Sequence, residues 1–415
     1  MLVKTLASPL PPVNAVPSST AAKVGGGSPP LEGARVLVLA PLPPPIHGVA
    51  VMFDTLLRQL ADREQFTFFH SPVGATDKGQ EFGRFTAGNA ATALYDLIRA
   101  ARRLHMCRPQ VAYLSLSQNA PAFLRDSLLI LLCRAFGARV VAHIHGAYFD
   151  QFRAGLPWVL RILVDRILSQ VERLVVLGEC LREIGGPAVS PDRVVVVPNG
   201  VDLGPAPERS PMNAPFTVLY MGVLEETKGF LELIRAWPRV RESIPGAQLV
   251  CAGRWDSDEI RDRTFQALED LGVQDCVELP GVVTGESKSA LFARVSAFCM
   301  PTFYPLEGQP VVILEAMAAG LPVVTTARGA IAEVVVDRVT GFLIPAHDPN
   351  ALVERLSVLA HDSSLRERLG RAAMARYRRE FTAAHFAHRI ESVLLDAAGI
   401  PATHRRHAAV FPRTA

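Results

Sequence analysis

The sequence predicts an α/β protein of two doubly wound, Rossmann-like domains, and three observations carry that prediction. From residue 34, short apolar strand-like runs alternate with longer amphipathic ones, the pattern of a parallel sheet whose crossovers are helices. The segment 203–215 interrupts the alternation with prolines and few apolar residues, as an interdomain linker does. From residue 216 the alternation restarts, and after Pro349 it gives way to a purely helical pattern.

The elements follow in order. Residues 1–33 are rich in Pro, Ser, Ala and Gly, lack the apolar core of a signal peptide, and read as a disordered leader. A first domain, 34–202, has strand candidates at 34–40, 66–71, 111–117, 138–145, 173–178 and 193–198, with helical patterns such as 49–63 and 92–106 between them. The most apolar stretch, 122–146, is interrupted by Arg125, Asp126 and Arg134 and divides into a buried helix, a turn at Gly137 and a strand. A second domain, 216–380, has strand candidates at 216–222, 247–253, 276–281, 296–301, 322–326 and 341–345. Helical patterns occupy 350–362, 364–381 and 384–398, and 399–415 reads as a tail.

Composition narrows the function. The 415 residues, 49% hydrophobic and 20% charged, suit a globular protein of two domains. A formal charge of +3 without a long basic block argues against a nucleic-acid binder. Six scattered cysteines without a CxxC pair read as reduced core residues of a cytosolic protein, neither bridges nor zinc ligands. No segment reaches the run of about eighteen uninterrupted apolar residues that a transmembrane helix needs. The segment 156–174 mixes Trp158 and aliphatics with Arg161 and Arg166, as an interfacial helix does. A core helix gives the same pattern and is the expectation. Basic residues are biased, five lysines against 38 arginines, which singles out Lys228 within an ordered strand-loop-helix motif.

Two glutamates, Glu307 and Glu315, flank a probable helix start at Pro310, with Gly320 and Pro322 as its stop. Glu307 falls in the preceding loop. Glu315 lies inside the helix on an apolar face, where it either accepts hydrogen bonds from two sugar hydroxyls or closes a buried salt bridge. The helix N-terminus near Gln309 and Pro310 is a candidate anion site, and so is the turn from Gly222 through Lys228. An ordinary turn with a solvent-facing lysine would read the same. In the first domain, His47 and Gly48 follow the first strand, and His143, His145 and Gly146 close the fourth, at the edge where open α/β sheets place ligands. His143 and His145 point the same way on a strand but lack a third metal ligand, and a lone histidine there serves structure as readily as catalysis. Asp256-Ser257-Asp258 reads as a helix cap and not as a cation site.

Taken together these motifs resemble the GT-B-fold retaining glycosyltransferases of the family-four, or group 1, type. The resemblance covers residues 34–398 and rests chiefly on EGQPVVILEAMAAGLPVV at 307–324, an E-x7-E motif, and PNGVD at 198–202. MGVLEETKG at 221–229, PGVV at 280–283, residues 329–348 and His145-Gly146 support it. It implies a GT-B fold, two domains facing across a cleft, with the C-terminal helices, including 381–398, crossing back to the first domain.

It also implies an enzyme that moves a hexose from a nucleotide-diphosphate sugar to a glycan or lipid-linked acceptor, with no metal or other cofactor. Such enzymes serve bacterial surface polysaccharide or glycolipid synthesis in the cytoplasm, peripherally on the inner membrane face where the acceptor is a lipid. By that resemblance Glu307, His145 and Lys228 would be catalytic. Glu315, Gly48, Gly222, Gly308, Gln309, Pro310, Val311 and Arg254 would line the donor site, Glu315 on the ribose and the 308–311 amides beside the phosphates. One departure matters: Val223 stands where relatives carry an arginine, so Arg254 or Arg328 must substitute, or helix N-termini must carry more of the phosphate charge. The alternatives are a nucleotide-sugar isomerase or epimerase on the same fold, and a non-catalytic sugar-nucleotide-binding protein.

Overall fold

A computed structural model describes residues 33–44, 46–74, 87–204 and 215–400, and Gly33 onward forms one compact unit. Nearly all of the expected leader, most of the linker and the tail beyond Ile400 lie outside the described residues.

The first domain runs β1 (Ala34–Leu39), α1 (Gly48–Leu60), β2 (Phe66–Ser71), α2 (Ala87–Cys107), β3 (Val111–Ser115), α3 (Ala120–Ala135), β4 (Arg139–His143), α4 (Phe149–Ala154), α5 (Trp158–Leu168), β5 (Val171–Val176) and β6 (Val194–Val196). Its parallel sheet has the order β2-β1-β3-β4-β5-β6. Side chains alternate across it, as a strand period of two requires. Val36 and Val38 join the core with Met52, Phe53 and Leu56 of α1, while Leu37 and Leu39 join the core under α2, α3 and α5.

The second domain runs β7 (Thr217–Met221), α6 (Phe230–Ser243), β8 (Gln248–Ala252), α7 (Asp258–Asp270), β9 (Val277–Gly281), α8 (Gly285–Arg294), β10 (Ala297–Met300), α9 (Val311–Ala318), β11 (Val323–Thr326) and β12 (Gly341–Ile344). Its parallel sheet has the order β12-β11-β10-β7-β8-β9. All the predicted strands form. Ser257 caps α7, its side chain accepting from the Ile260 amide at 3.2 Å, so that acidic segment is a cap as expected.

Three helices close the chain: α10 (Pro349–His361), α11 (Ser363–Glu380) and α12 (Ala383–Ala398). Of the C-terminal helices expected to cross back, the one placed at 381–398 does so and α11 does not. Leu369, Ala373 and Tyr377 give α11 an apolar face that packs on α9 and β12, so it stays with the second sheet. Only α12 returns, laying Phe386, Ile390 and Leu394 into the first-domain core with Phe53 and Val141. The crossing is pinned at Val201, whose carbonyl accepts from the Ala383 amide at 3.0 Å and the Tyr377 hydroxyl at 2.7 Å.

Two further expectations need correction. The segment 156–174 is not one core helix. Helix α5 ends at Leu168 because β5 begins at Val171, and only Val164, Ile167 and Leu168 of the helix are buried. Among the cysteines, Cys133, Cys251, Cys276 and Cys299 are buried as expected, but Cys180 is exposed.

If α12 staples the first domain, Phe386→Ala removes a core side chain that is 1% exposed. A loss of about 3–5 kcal/mol of stability is expected in denaturant unfolding. A change below about 1 kcal/mol would show that the helix is not part of that core.

Candidate active site

In each sheet the strand order reverses once, between β1 and β3 in the first and between β10 and β7 in the second. Loops leave such a point in opposite directions and open a crevice at the carboxyl edge. Both crevices line one cleft of about 510 Å³, a size suited to a small-molecule ligand. His47, Gly48 and His145 line it from the first domain. From the second come Gly222, Lys228, Arg254, Glu307, Gly308, Gln309, Pro310, Val311 and Glu315, so every residue to which the resemblance gave a catalytic or donor-lining role meets there.

Adjacency of β7 and β10 brings the chemistry together. Lys228 lies in the turn after β7 and Glu307 in the loop after β10, and Lys228 Nζ sits 2.8 Å from Glu307 Oε2. Thr302 Oγ1 donates to the same oxygen at 3.0 Å, and the lysine ammonium lies 4.1 Å from the centre of the Tyr304 ring. The lysine is therefore not a solvent-facing residue. Helix α9 starts at Val311 with Pro310 as its N-cap, one position earlier in the motif than a first-turn proline. Its first amides have no carbonyl within the helix to pair with, and Val311 and Val312 line the cleft.

Glu315 is 8% exposed, and Lys288 Nζ of α8 donates to its Oε1 at 2.6 Å. Burial pushes the Glu315 carboxyl above its usual range, and the Lys288 charge pulls it back down. Its Oε2 has no protein partner. The ion-pair reading of Glu315 thus holds for one oxygen, and the other has no partner among the described residues. Lys288 escaped the sequence reading because 285–294 carries no motif. The scarcity of lysine, which singled out Lys228, was the available signal.

His143 and His145 stack at 3.8 Å between ring centres, with the Tyr113 hydroxyl 2.7 Å from His143 Nδ1. The Nε2 atoms of both are buried without a partner. Burial drives both pKa values down, His143 well below the usual value and His145, with His47 nearby, to about 3, so both rings are neutral at physiological pH. Among the described residues no group of three His, Cys, Asp or Glu side chains is arranged to hold a metal ion.

Several roles shift in detail. The Gln309 side chain is committed: its Oε1 accepts from the Asn199 amide at 2.6 Å while Asn199 Nδ2 donates to the Gln309 carbonyl at 3.0 Å. Its Oε1 and its carbonyl are therefore taken up by Asn199. The sequence marks Gly222 at the head of the Lys228 turn, but the close approach there lies with its neighbour: a Cβ on Gly253 would fall 1.7 Å from the Gly222 carbonyl oxygen. Of the two arginines offered in place of the one missing at Val223, Arg254 lines the cleft, whereas Arg328 lies outside its lining and donates to the Tyr304 carbonyl at 3.4 Å.

Two facing Rossmann-like sheets with a ligand-sized cleft between them define the GT-B fold. The comparisons agree. The "Glycosyltransferase Family 4" model matches residues 33–204 and the "Glycosyl transferases group 1" model residues 207–376. The chain is 28% identical to the glycogen synthase of Mycobacterium tuberculosis over 327 residues, covering 73% of this chain and 75% of that one. It is 33% identical over 192 residues to the phosphatidyl-myo-inositol mannosyltransferase of Mycobacterium leprae, covering 44% and 49%. Among solved structures, Anabaena Alr3699/HepE in complex with UDP aligns with a TM-score of 0.67 at 16% identity, over 87% of this chain and 100% of that one. A glycosyltransferase from Rickettsia africae aligns with a TM-score of 0.71 at 15% identity, over 88% and 98%. The chain belongs to the family-four, group 1 glycosyltransferases and is a GT-B enzyme.

The histidine pair sets a pH dependence. Unfolding exposes both rings to water, so below the ordinary histidine value of 6.5 the unfolded chain binds more protons than the folded one. Stability contributed by these rings is complete above that value and falls as the pH drops from 6.5 toward 3. The melting temperature of His145→Asn should therefore fall less steeply with acid than that of the wild type. Parallel curves would show that His145 already titrates normally in the folded state.

Proposed function

We propose that the chain is a retaining glycosyltransferase that moves a hexose from a nucleotide-diphosphate sugar to a hydroxyl of a glycan or lipid-linked acceptor in the cytoplasm, in surface polysaccharide or glycolipid synthesis. The observation that carries the reading is the split arrangement of one cleft. The Lys228–Glu307 pair and the Glu315–Lys288 pair flank the N-terminus of α9, which supplies unpaired amides between them. A donor laid across that helix end puts its ribose on the free Glu315 oxygen, its diphosphate on the amides, Lys228 and Arg254, and its sugar toward Glu307 and His145. The UDP in the Anabaena relative's structure supports a nucleotide-sugar donor.

The acceptor oxygen forms its bond to the anomeric carbon on the face from which the phosphate oxygen departs. The bond between that carbon and the phosphate oxygen breaks, and the acceptor proton passes to the departing phosphate. Lys228 and the helix end stabilise the charge growing on the diphosphate, so the step needs no dedicated metal. Neutral His145 orients a hydroxyl through a hydrogen bond, its burial keeping it uncharged. An isomerase would need added acid and base groups at the sugar, and the cleft lining offers no carboxylate beyond Glu307 and Glu315.

Lys228→Ala and Glu307→Ala should each lower turnover about 10²–10³-fold in an assay of nucleoside diphosphate release. Wild-type rates in both would overturn the assignment, and an altered sugar on intact donor without acceptor would favour an isomerase. Lys288→Met leaves the Glu315 carboxyl higher still, because its compensating charge is gone. Nucleotide affinity, read as thermal protection by UDP-, GDP- and ADP-sugars, should then fall more steeply with acid than in the wild type. Identical pH profiles would place Glu315 away from the ribose.

A further inference from the structure

Seventeen large apolar side chains are exposed among the described residues, and thirteen of them lie on α2, α3 and α5 or at the end of α3. Leu94, Tyr95, Ile98 and Met106 stand on α2, and Leu124, Leu128 and Leu131 form one stripe on α3 at helical spacing. The first six residues of α5 are all exposed, Trp158 at 67% and Leu163 at 51% among them. Helix α3 packs against both α2 and α5, so these side chains belong to one layer, whose inner face already covers the first sheet. A second apolar face on the outside of such a layer has no partner among the described residues, and patches of this kind mark docking sites.

The charge around it selects the partner. Residues 87–168 carry ten arginines against four aspartates, with no lysine or glutamate, a surplus of six where the whole chain has +3. Three of the aspartates are neutralised by arginines: Asp96 by Arg99 at 2.7 Å, Asp126 by Arg125 at 2.7 Å and Asp165 by Arg153 at 2.6 Å. Among the described residues, Arg102, Arg103, Arg134, Arg161 and Arg166 are exposed on these helices without an ion pair, and of the four aspartates Asp150 is left unpaired. Exposed aliphatics and a tryptophan interleaved with uncompensated arginines match an interface that is apolar in depth and anionic at its surface. We infer that the outer face of α2, α3 and α5 docks on an anionic lipid bilayer.

The inference rests on the proposed transfer reaction only for its purpose. The chain runs from His145 through α4 directly to Trp158, so one short segment joins the cleft to the docking face. No helix of the described residues is long and apolar enough to cross one.

Trp158 is itself the probe. Trp237 is fully buried and Trp255 partly so, leaving Trp158 as the exposed tryptophan of the three. The full chain is mixed with vesicles of phosphatidylcholine, with and without phosphatidylglycerol, and binding is read by flotation and by tryptophan emission. Binding to the anionic vesicles is expected, with a blue shift that Trp158→Phe abolishes. Leu160→Glu combined with Leu163→Glu should weaken partitioning at least about tenfold. Arg161→Glu should weaken it roughly fivefold or more at low salt. All four substitutions are at exposed sites, and unchanged melting temperatures confirm the fold.

No binding to anionic vesicles, or undiminished binding of the leucine variant, overturns the inference. So does a blue shift that appears without lipid and grows with protein concentration, which would assign the face to a second copy. Vesicle binding is read without donor and nucleotide protection without lipid, so the failure of either reading leaves the other standing.

Discussion

The cleft depends on one close approach of two backbones. The loop carrying Glu307 lies so near the end of β4 that a Cβ on Gly308 would fall 2.2 Å from the His145 carbonyl oxygen. Only glycine permits this, and it brings the two halves of the site into contact. The surrounding bonds hold that register. Gln309 and Asn199 exchange two hydrogen bonds, and the Glu333 carboxylate accepts from the Glu179 and Cys180 amides at 2.8 and 2.7 Å. Each joins the second domain to the first through backbone groups, which fixes position more tightly than long side chains do. The return of α12 supplies the apolar burial that these polar contacts lack.

Much of this was legible in the sequence, for a definite reason. Parallel strands buried on both faces read as apolar runs, and the helices between them carry one apolar stripe. Both patterns are local, so the strands and the start and stop of α9 were visible. Glu307 and Glu315 stood out because a carboxylate in or beside an apolar run needs an explanation. Lys288 did not, because its meaning is supplied by Glu315, 27 residues away, and nothing local marks that pairing. Gly253 was missed in favour of Gly222 for the same reason: which of two glycines must yield depends on how adjacent strand ends meet.

The misreading of α5 is of another kind. An amphipathic pattern says that a helix has an apolar side, not what covers it. In α5 the few buried residues, Val164, Ile167 and Leu168, suffice to seat the helix, and the remaining aliphatics lie outside. A core helix and an interfacial helix share one sequence signature and differ only in what lies next to them. That is tertiary information, and it came from the packing of α3 against α2 and α5.

The charge of the cleft also explains how Val223 is tolerated. The two lysines and two glutamates of the lining form two neutral pairs before any donor enters, and Arg254 is the lining arginine, without an ion pair among the described residues. Isolated charges at these depths would be costly to keep dehydrated, whereas paired ones are not left uncompensated. In the proposed reaction a diphosphate entering such a site would exchange partners: Lys228 would turn from the carboxylate to a phosphate while Glu307 kept the Thr302 hydroxyl. A second arginine at position 223 would have added a fixed charge in competition for Glu307. With valine there, the positive potential comes from α9, Lys228 and Arg254.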